Sequence, residues 1–224
     1  MAPRLLLPSA VDGRLGRRMH TMASKDVAAR VLNWRMELPT LCGSLVTLRE
    51  PVNADTEPLL ELLSLPDAAR FDLSEAVETA SVRRMIERAL RDRAGGIAFT
   101  YGIVLADHRS LVGLIQVRQL DPFFEGALWD CTVAPRARGT GVFGEAAHLV
   151  GSFAFASTGV RRLESRVDVN NVRAMFALRK IGAVQEGVLR RAVRRGDDYV
   201  DQTLWAVLKE TWDTAAPSRS VVIH

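Results

Sequence analysis

The segment Val133-Ala134-Pro135-Arg136-Ala137-Arg138-Gly139-Thr140-Gly141-Val142-Phe143-Gly144 constrains this chain more than any other. Before it, Ala127, Trp129, Cys131 and Val133 alternate with Leu128, Asp130 and Thr132 as the two faces of a strand. After it, Val142, Ala146, Leu149, Val150 and Phe153 recur at the spacing of a helix. The chain therefore passes from strand to helix through a turn holding Gly139, Gly141 and Gly144. Glycine lets main chain approach a ligand closely and adopt dihedrals that cost other residues dearly. The unpaired N–H groups of the helix's first turn, with the positive end of its dipole, favour a phosphate, and Arg138 adds a formal charge. A diphosphate-bearing cofactor is the natural occupant.

Two cofactor classes compete for such a turn. Gly139, Gly141 and Gly144 satisfy G-x-G-x-x-G, and Asp168 lies where a dinucleotide fold wants its ribose acid. In that fold the first glycine follows the strand at once, whereas here Ala134–Arg138, with a proline, intervene. Three strands in succession before the turn also suit a doubly wound parallel sheet poorly, so a nicotinamide oxidoreductase is the weaker alternative.

The pattern on either side fills out the fold. A strand at Leu45–Arg49 stops at Pro51. A helix runs from Asp55 to about Ser64, and a second carries Val82, Met85, Ile86, Ala89 and Leu90 on one stripe before Gly95-Gly96. Pro66–Glu78 between them reads as a loop. Alternation marks strands at Ile97–Leu105, Leu111–Arg118 and Ala127–Val133, and further strands fall at Leu163–Val169, near Ala183–Val193 and at Tyr199–Leu208. A helix from about Asn171 to Lys180 stops at Gly182. The expected fold is α/β (α+β): a mixed sheet of about seven strands with helices on both faces. Residues 1–40 read as a partly disordered leader, 41–212 as the domain and 213–224 as a flexible tail.

Composition narrows the partners. With 48% hydrophobic residues in 224, the chain can bury one sizeable core, and no run reaches the ~20 apolar residues a spanning helix needs. Cys42 and Cys131 lie far apart, outside any metal-ligand spacing, so no metal site is expected and a reducing cytoplasm fits. The pI near 9.6 comes from arginine, since only Lys25, Lys180 and Lys209 are lysines. The arginines are scattered and no basic helix interleaves aromatics, so a solvated basic surface is favoured over nucleic-acid binding, and a membrane partner is not expected.

The turn resembles the acetyl-CoA signature of the GNAT superfamily of N-acetyltransferases, V-x-P-x-x-[RQ]-x-x-G-x-[GA], through Val133, Pro135, Arg138 and Gly141, with Phe143 in place of the usual small residue. Asn170-Asn171-Val172-Arg173-Ala174 and Arg179-Lys180-Ile181-Gly182-Ala183 resemble the family's next helix. The ending Asp198–Gln202, Leu208 and Trp212 resembles the branch that acetylates ribosomal protein N-termini. The resemblance implies a mostly antiparallel central sheet, acetyl-CoA as co-substrate and an amine acceptor, and it admits a homodimer. It implies that the main chain of Cys131, Thr132 and Val133 pairs with the pantetheine amides. The N–H groups of Arg138, Gly139, Thr140, Gly141, Val142, Phe143 and Gly144 would hold the pyrophosphate, and Asn171 would bond the pantetheine arm while capping its helix.

The same resemblance places a catalytic glutamate at Leu128 and an acid tyrosine at Leu178, and neither is present. Asp130 shares a strand face with Leu128 and is the expected base, with Glu125 as the fallback. A thioester is already activated, so direct attack by a neutral amine suffices without an acyl-enzyme. Cys131 reads as a small buried side chain rather than a nucleophile. An acyl-CoA-binding sensor without turnover is the rival from another class. Pro66–Glu78 and the Arg190–Asp198 hairpin are the expected walls of the acceptor cleft.

Overall fold

The computed structural model describes residues 33–66, 68, 76–107, 111–215 and 222–223. Among the described residues nine strands form one sheet: β1 (Leu41–Cys42), β2 (Val46–Arg49), β3 (Ala98–Leu105), β4 (Leu111–Gln119), β5 (Gly126–Val133), β6 (Arg162–Asp168), β7 (Val184–Arg195), β8 (Asp198–Leu208) and β9 (Val222–Ile223). Their order is β7-β8-β6-β5-β4-β3-β2-β1-β9. Every neighbouring pair is antiparallel except β5 with β6. The expected mixed, mostly antiparallel sheet is present. The two strands beyond the expected seven, β1 and β9, are each two residues long, too short for alternation to reveal.

Five helices accompany the sheet: α1 (Thr56–Leu63), α2 (Thr79–Ala94), α3 (Val142–Ser157), α4 (Val172–Lys180) and α5 (Lys209–Ala215). The odd-numbered residues of β3 point at α3, with Phe99 and Tyr101 edge-on to Phe153 at 5.5 and 6.0 Å. Trp212 of α5 closes the same layer, edge-on to Trp129. Strands β3 and β4 are buried on both faces nearly throughout, so α1 and α2, which also contact β3–β5, cover the opposite face.

Packing also reaches residues on either side of 41–212. The folded body begins before residue 41, because Trp34 and Leu38 are buried and the Trp34 ring packs on Phe99 and Phe124 at 5.6 and 5.3 Å. Two apolar residues in an irregular stretch carry no period, so the sequence read them as leader. Residues 1–32 lie outside the described residues. The segment 213–224 is not wholly a loose tail, since Val222–Ile223 pairs with Leu41–Cys42.

Candidate functional site

The two edges of β5 build the site. Toward β4, seven consecutive pairs run without a bulge from Gln119↔Ala127 to Gly113↔Val133. Beyond each end, Gly126 O accepts from Leu120 N at 2.8 Å and Ala134 N donates to Val112 O at 2.7 Å. Because antiparallel bonding alternates, the even-numbered residues of β5 bond to β4 and the odd-numbered ones direct their N–H and C=O groups the other way. Toward β6 the ladder covers only Gly126↔Arg162, Ala127↔Leu163 and Leu128↔Glu164. At the next step Ser165 Oγ donates to Trp129 O at 2.9 Å in place of a ladder bond. β6 then stays with β8 through Asp168↔Gln202. The sheet forks, and Cys131 and Val133 present their main-chain groups to the opening.

This parity sorts the expected contacts along the strand. Cys131 and Val133 offer an edge that an extended amide chain can join, while Thr132 does not, because its main chain belongs to the β4 ladder. Val133 O also accepts from Arg138 Nε at 2.8 Å, which ties the guanidinium to the rim of the fork. The indole Nε1 of Trp129, at the residue where β6 lets go, is buried and has no hydrogen-bond partner among the described residues.

The turn after β5 completes the opening. Pro135–Ala137 form one 3-10 turn, and Gly141, at φ +93°, swings the chain into α3. A side chain there would be strained by the left-handed backbone and would meet Leu45 Cδ1 at 3.1 Å. No side chain caps α3. Among the described residues, none of the N–H groups of Gly139, Thr140, Gly141, Val142, Phe143 or Gly144 donates to a protein acceptor, and the first protein-bonded amide is Glu145 N to Gly141 O. A Cβ added at Gly139 or Gly144 would meet nothing within 4 Å. Six consecutive unspent donors at a helix N-terminus, on an open surface, fit a diphosphate. Val142 contributes its N–H only, because its side chain is buried in the core. On the facing helix, Asn171 Oδ1 accepts from Ala174 N at 3.2 Å, the expected cap of α4.

Glu145 was not singled out by sequence, yet it sets the direction of α3. Its carboxylate accepts from Ser44 N and Oγ at 2.8 and 2.6 Å, Leu45 N at 2.6 Å and Val46 N at 2.9 Å. Partial burial pushes this carboxyl up, but the Ser44 hydroxyl and the three main-chain donors outweigh it and hold it below its ordinary value. No local motif announces a clasp between residues a hundred positions apart.

The candidate bases separate. Asp130 stands on β5 beside the fork, half-buried, on the face covered by α1 and α2. Glu125 lies before β5, at the closed end of the fork, exposed, with its carbonyl accepting from Arg161 N and Arg162 N. Five residues of strand put it roughly 16 Å from Asp130. Leu128 is the last paired residue and sits beside Glu164, whose carboxylate is held by Arg162 at 2.8 Å. Burial, with the Asp130 charge next to it, pushes the Cys131 thiol up to about 12, so it is not a thiolate near neutrality.

Most of Pro66–Glu78 lies outside the described residues. In the β7–β8 hairpin, Arg195 bonds Asp168 at 3.2 Å, Arg194 pairs with Asp197 at 3.7 Å, and Arg191 lies over the Tyr199 ring at 4.9 Å. Three of the four arginines thus engage the protein itself. An open notch at the bulge of β7 is lined by Val188, Leu189, Arg190, Arg191 and Asp201. The mostly antiparallel sheet also removes the doubly wound frame that a nicotinamide enzyme of the G-x-G-x-x-G type requires. No described helix is long and apolar enough to cross a membrane.

With this geometry in hand, comparison with known proteins is informative. The family profile described as acetyltransferase (GNAT) domain matches residues 46–184. The uncharacterized N-acetyltransferase p20 of Bacillus licheniformis is 20% identical over 176 residues, covering 78% of this chain and 99% of that protein. The uncharacterized N-acetyltransferase YnaD of Bacillus subtilis (strain 168) is 24% identical over 79 residues, 35% of this chain, which spans less than half (46%) of that protein. Among solved structures, Mycobacterium smegmatis RimJ in complex with CoA-disulfide superposes with a TM-score of 0.67 at 18% identity, covering 78% of this chain and 87% of that one, a likeness of fold.

Proposed function

From the premise that this chain belongs to the GNAT acetyltransferase family and is an acyltransferase, we propose that it moves an acetyl group from acetyl-CoA to a primary amine, of a protein N-terminus or a small molecule, in one direct step. The observation that carries this reading is the fork of β5 and β6, with six unspent amides at its mouth. Gly139–Gly144 would hold the pyrophosphate, and the edge of Cys131 and Val133 would align the pantetheine arm, with Asn171 opposite. Acetyl-CoA brings a thioester already activated toward nucleophiles. The protein's tasks are to hold the acceptor amine beside that thioester, keep it neutral and exclude competing water. Asp130 accepts the proton that the ammonium must lose, directly or through one water. Cys131, a neutral thiol, takes no covalent part, which favours sequential over ping-pong transfer. Both cysteines are free thiols, which suits a reducing cytoplasm.

The test measures thiol release from acetyl-CoA with spermidine and a seryl N-terminal peptide as acceptors, alongside melting with CoA and with NAD. The reading expects CoA alone to raise Tm and at least one acceptor to release thiol. Tight CoA binding without turnover on any amine would favour the silent acyl-CoA sensor, to which the absence of acidic and phenolic side chains at Leu128 and Leu178 lends weight.

A further inference from the structure

Strand β6 carries a row of alternating charge on the face it shares with Asp130. Leu128 pairs with Glu164, so Leu128 and Asp130 on β5 stand on one side of the sheet with Arg162, Glu164, Arg166 and Asp168 on β6. The row puts an acid about 7 Å along the strand on either side of Arg166. Both acids are turned away from it. Glu164 accepts from Arg162 Nε at 2.8 Å, and Arg162 also donates to Glu186 at 2.9 Å. Asp168 accepts from Gln202 Nε2 at 2.8 Å and from Arg195 at 3.2 Å. Among the described residues the exposed Arg166 side chain has no hydrogen bond, ion pair or ring contact, with Asp130 or with any other group. The last pair between β5 and β6 is Leu128↔Glu164, so Arg166 lies two residues beyond it, on the β6 wall of the opening, as Asp130 does on the β5 wall. The amides of residues 139–144 lead into α3, which packs on the opposite face, so Arg166 stands across the sheet from the expected diphosphate seat.

We propose, resting on the transferase reading above, that Arg166 seats a carboxylate of the acceptor, which makes the acceptor an amine with a carboxylate a few bonds from its amino group. A guanidinium is permanently charged, and its planar fork matches a carboxylate with two parallel N–H···O bonds. The neighbouring cations Arg162 and Arg195 are already neutralised by Glu164, Glu186 and Asp168. One cation therefore faces the opening and suits one negative charge rather than a phosphate dianion. The same charge repels an acceptor that carries ammonium groups alone, so a polyamine is disfavoured. The amino end goes to Asp130, which takes its proton, and the carboxylate end goes to Arg166. A free amino acid and a peptide with an acidic first residue both offer this pairing.

The experiment compares thiol release from acetyl-CoA with four acceptors: glutamate, a peptide with an N-terminal aspartate, the seryl peptide and spermidine. At least one acidic acceptor should exceed the seryl peptide and spermidine in kcat/KM, and glutamate against the aspartyl peptide tells the two sources apart. Arg166→Gln should raise KM for the favoured acceptor about tenfold, the size of one charge-assisted bond, while KM for acetyl-CoA stays the same. Arg166→Lys should recover part of the loss, because it keeps the charge without the fork, and Arg166→Glu should turn the preference toward spermidine. A binding readout stands apart from turnover. In 15N-labelled full chain saturated with CoA, the Arg166 Nε–H signal, identified by its loss in Arg166→Lys, should shift as glutamate or the aspartyl peptide is added. Spermidine as the best acceptor of the wild type, an equal loss for every acceptor in Arg166→Gln, or a loss confined to succinyl-CoA as donor would overturn the inference. Silence toward every amine would sink the transferase reading instead, and the Arg166 signal then decides: a shift keeps the carboxylate seat, and no shift removes it.

Discussion

Along its β4 edge, strand β5 is bonded in seven consecutive pairs to a strand that is buried on both faces. Along its β6 edge it is bonded in three pairs, then released, and beyond the release Asp130, Cys131 and Val133 are only partly buried. The same eight residues thus serve two purposes by parity. Even-numbered main chain is spent on the ladder that holds the core together, and odd-numbered main chain past the release point stands outside any ladder. The two helix starts at the fork differ in the same way. α4 is capped from within by Asn171, whereas α3 has no side-chain cap and keeps its first amides unspent. The contrast teaches where stability and function part company: substitutions on the bonded edge should cost folding, and those on the released edge should cost binding or turnover.

The largest expected effect belongs to neither main-chain edge but to the side chain that stands beside the fork. Asp130→Asn should lower kcat by roughly a hundredfold with little change in KM for acetyl-CoA, within the range for loss of a general base. Steady-state kinetics with whichever amine is turned over checks this, and unchanged kcat would contradict it. Next, Gly141→Val forces a β-branched residue into a left-handed turn where Leu45 is already close. CoA affinity should fall at least about tenfold, roughly the 1–2 kcal/mol that a left-handed L-residue costs. Calorimetric titration with CoA measures it.

A third prediction concerns the clasp that aims α3. Glu145 is held below its ordinary value in the folded chain, so it contributes stability above that ordinary value, near 4.5, and loses it as pH falls through the folded value. Urea midpoints of the wild type should therefore drop on acidification below about pH 4.5. Glu145→Gln should be less stable at pH 7 and show a flatter acid limb, and parallel curves for the two would remove the clasp from the account. The smallest effect falls on the bonded edge. Ile115→Val, opposite Cys131 in the ladder, should cost about 1 kcal/mol of stability while leaving CoA affinity unchanged. A loss of affinity there would erase the distinction between the edges.

How much of this was readable from residues alone follows from the range of the interactions involved. The glycine turn between β5 and α3 was legible because its parts are contiguous: an alternating strand, a proline, glycines and a helical stripe. The cap of α4 by Asn171 was legible for the same reason. Asp130 and Leu128 share a face, as the alternation had it, because strand parity survives without tertiary knowledge. Strand parity also showed which residues share a face, but the residue at which β6 leaves β5 depends on packing between distant segments. For that reason the residues alone did not tell the main chain of Thr132, bonded to β4, from that of Cys131 and Val133, nor show how far Glu125 lies from the opening. Glu145 reads locally as an ordinary acid in a first helical turn. Its partners at 44–46 become visible only once the sheet brings β2 under α3.

The most direct test of the account follows the backbone amides as CoA is added. In 15N–1H spectra, the signals of residues 139–144 and those of Cys131 and Val133 should shift and gain protection from hydrogen exchange, while Asp130 and Thr132, bonded to β4, stay as they were. CoA binding that left positions 139–144 unchanged and perturbed amides elsewhere would contradict it.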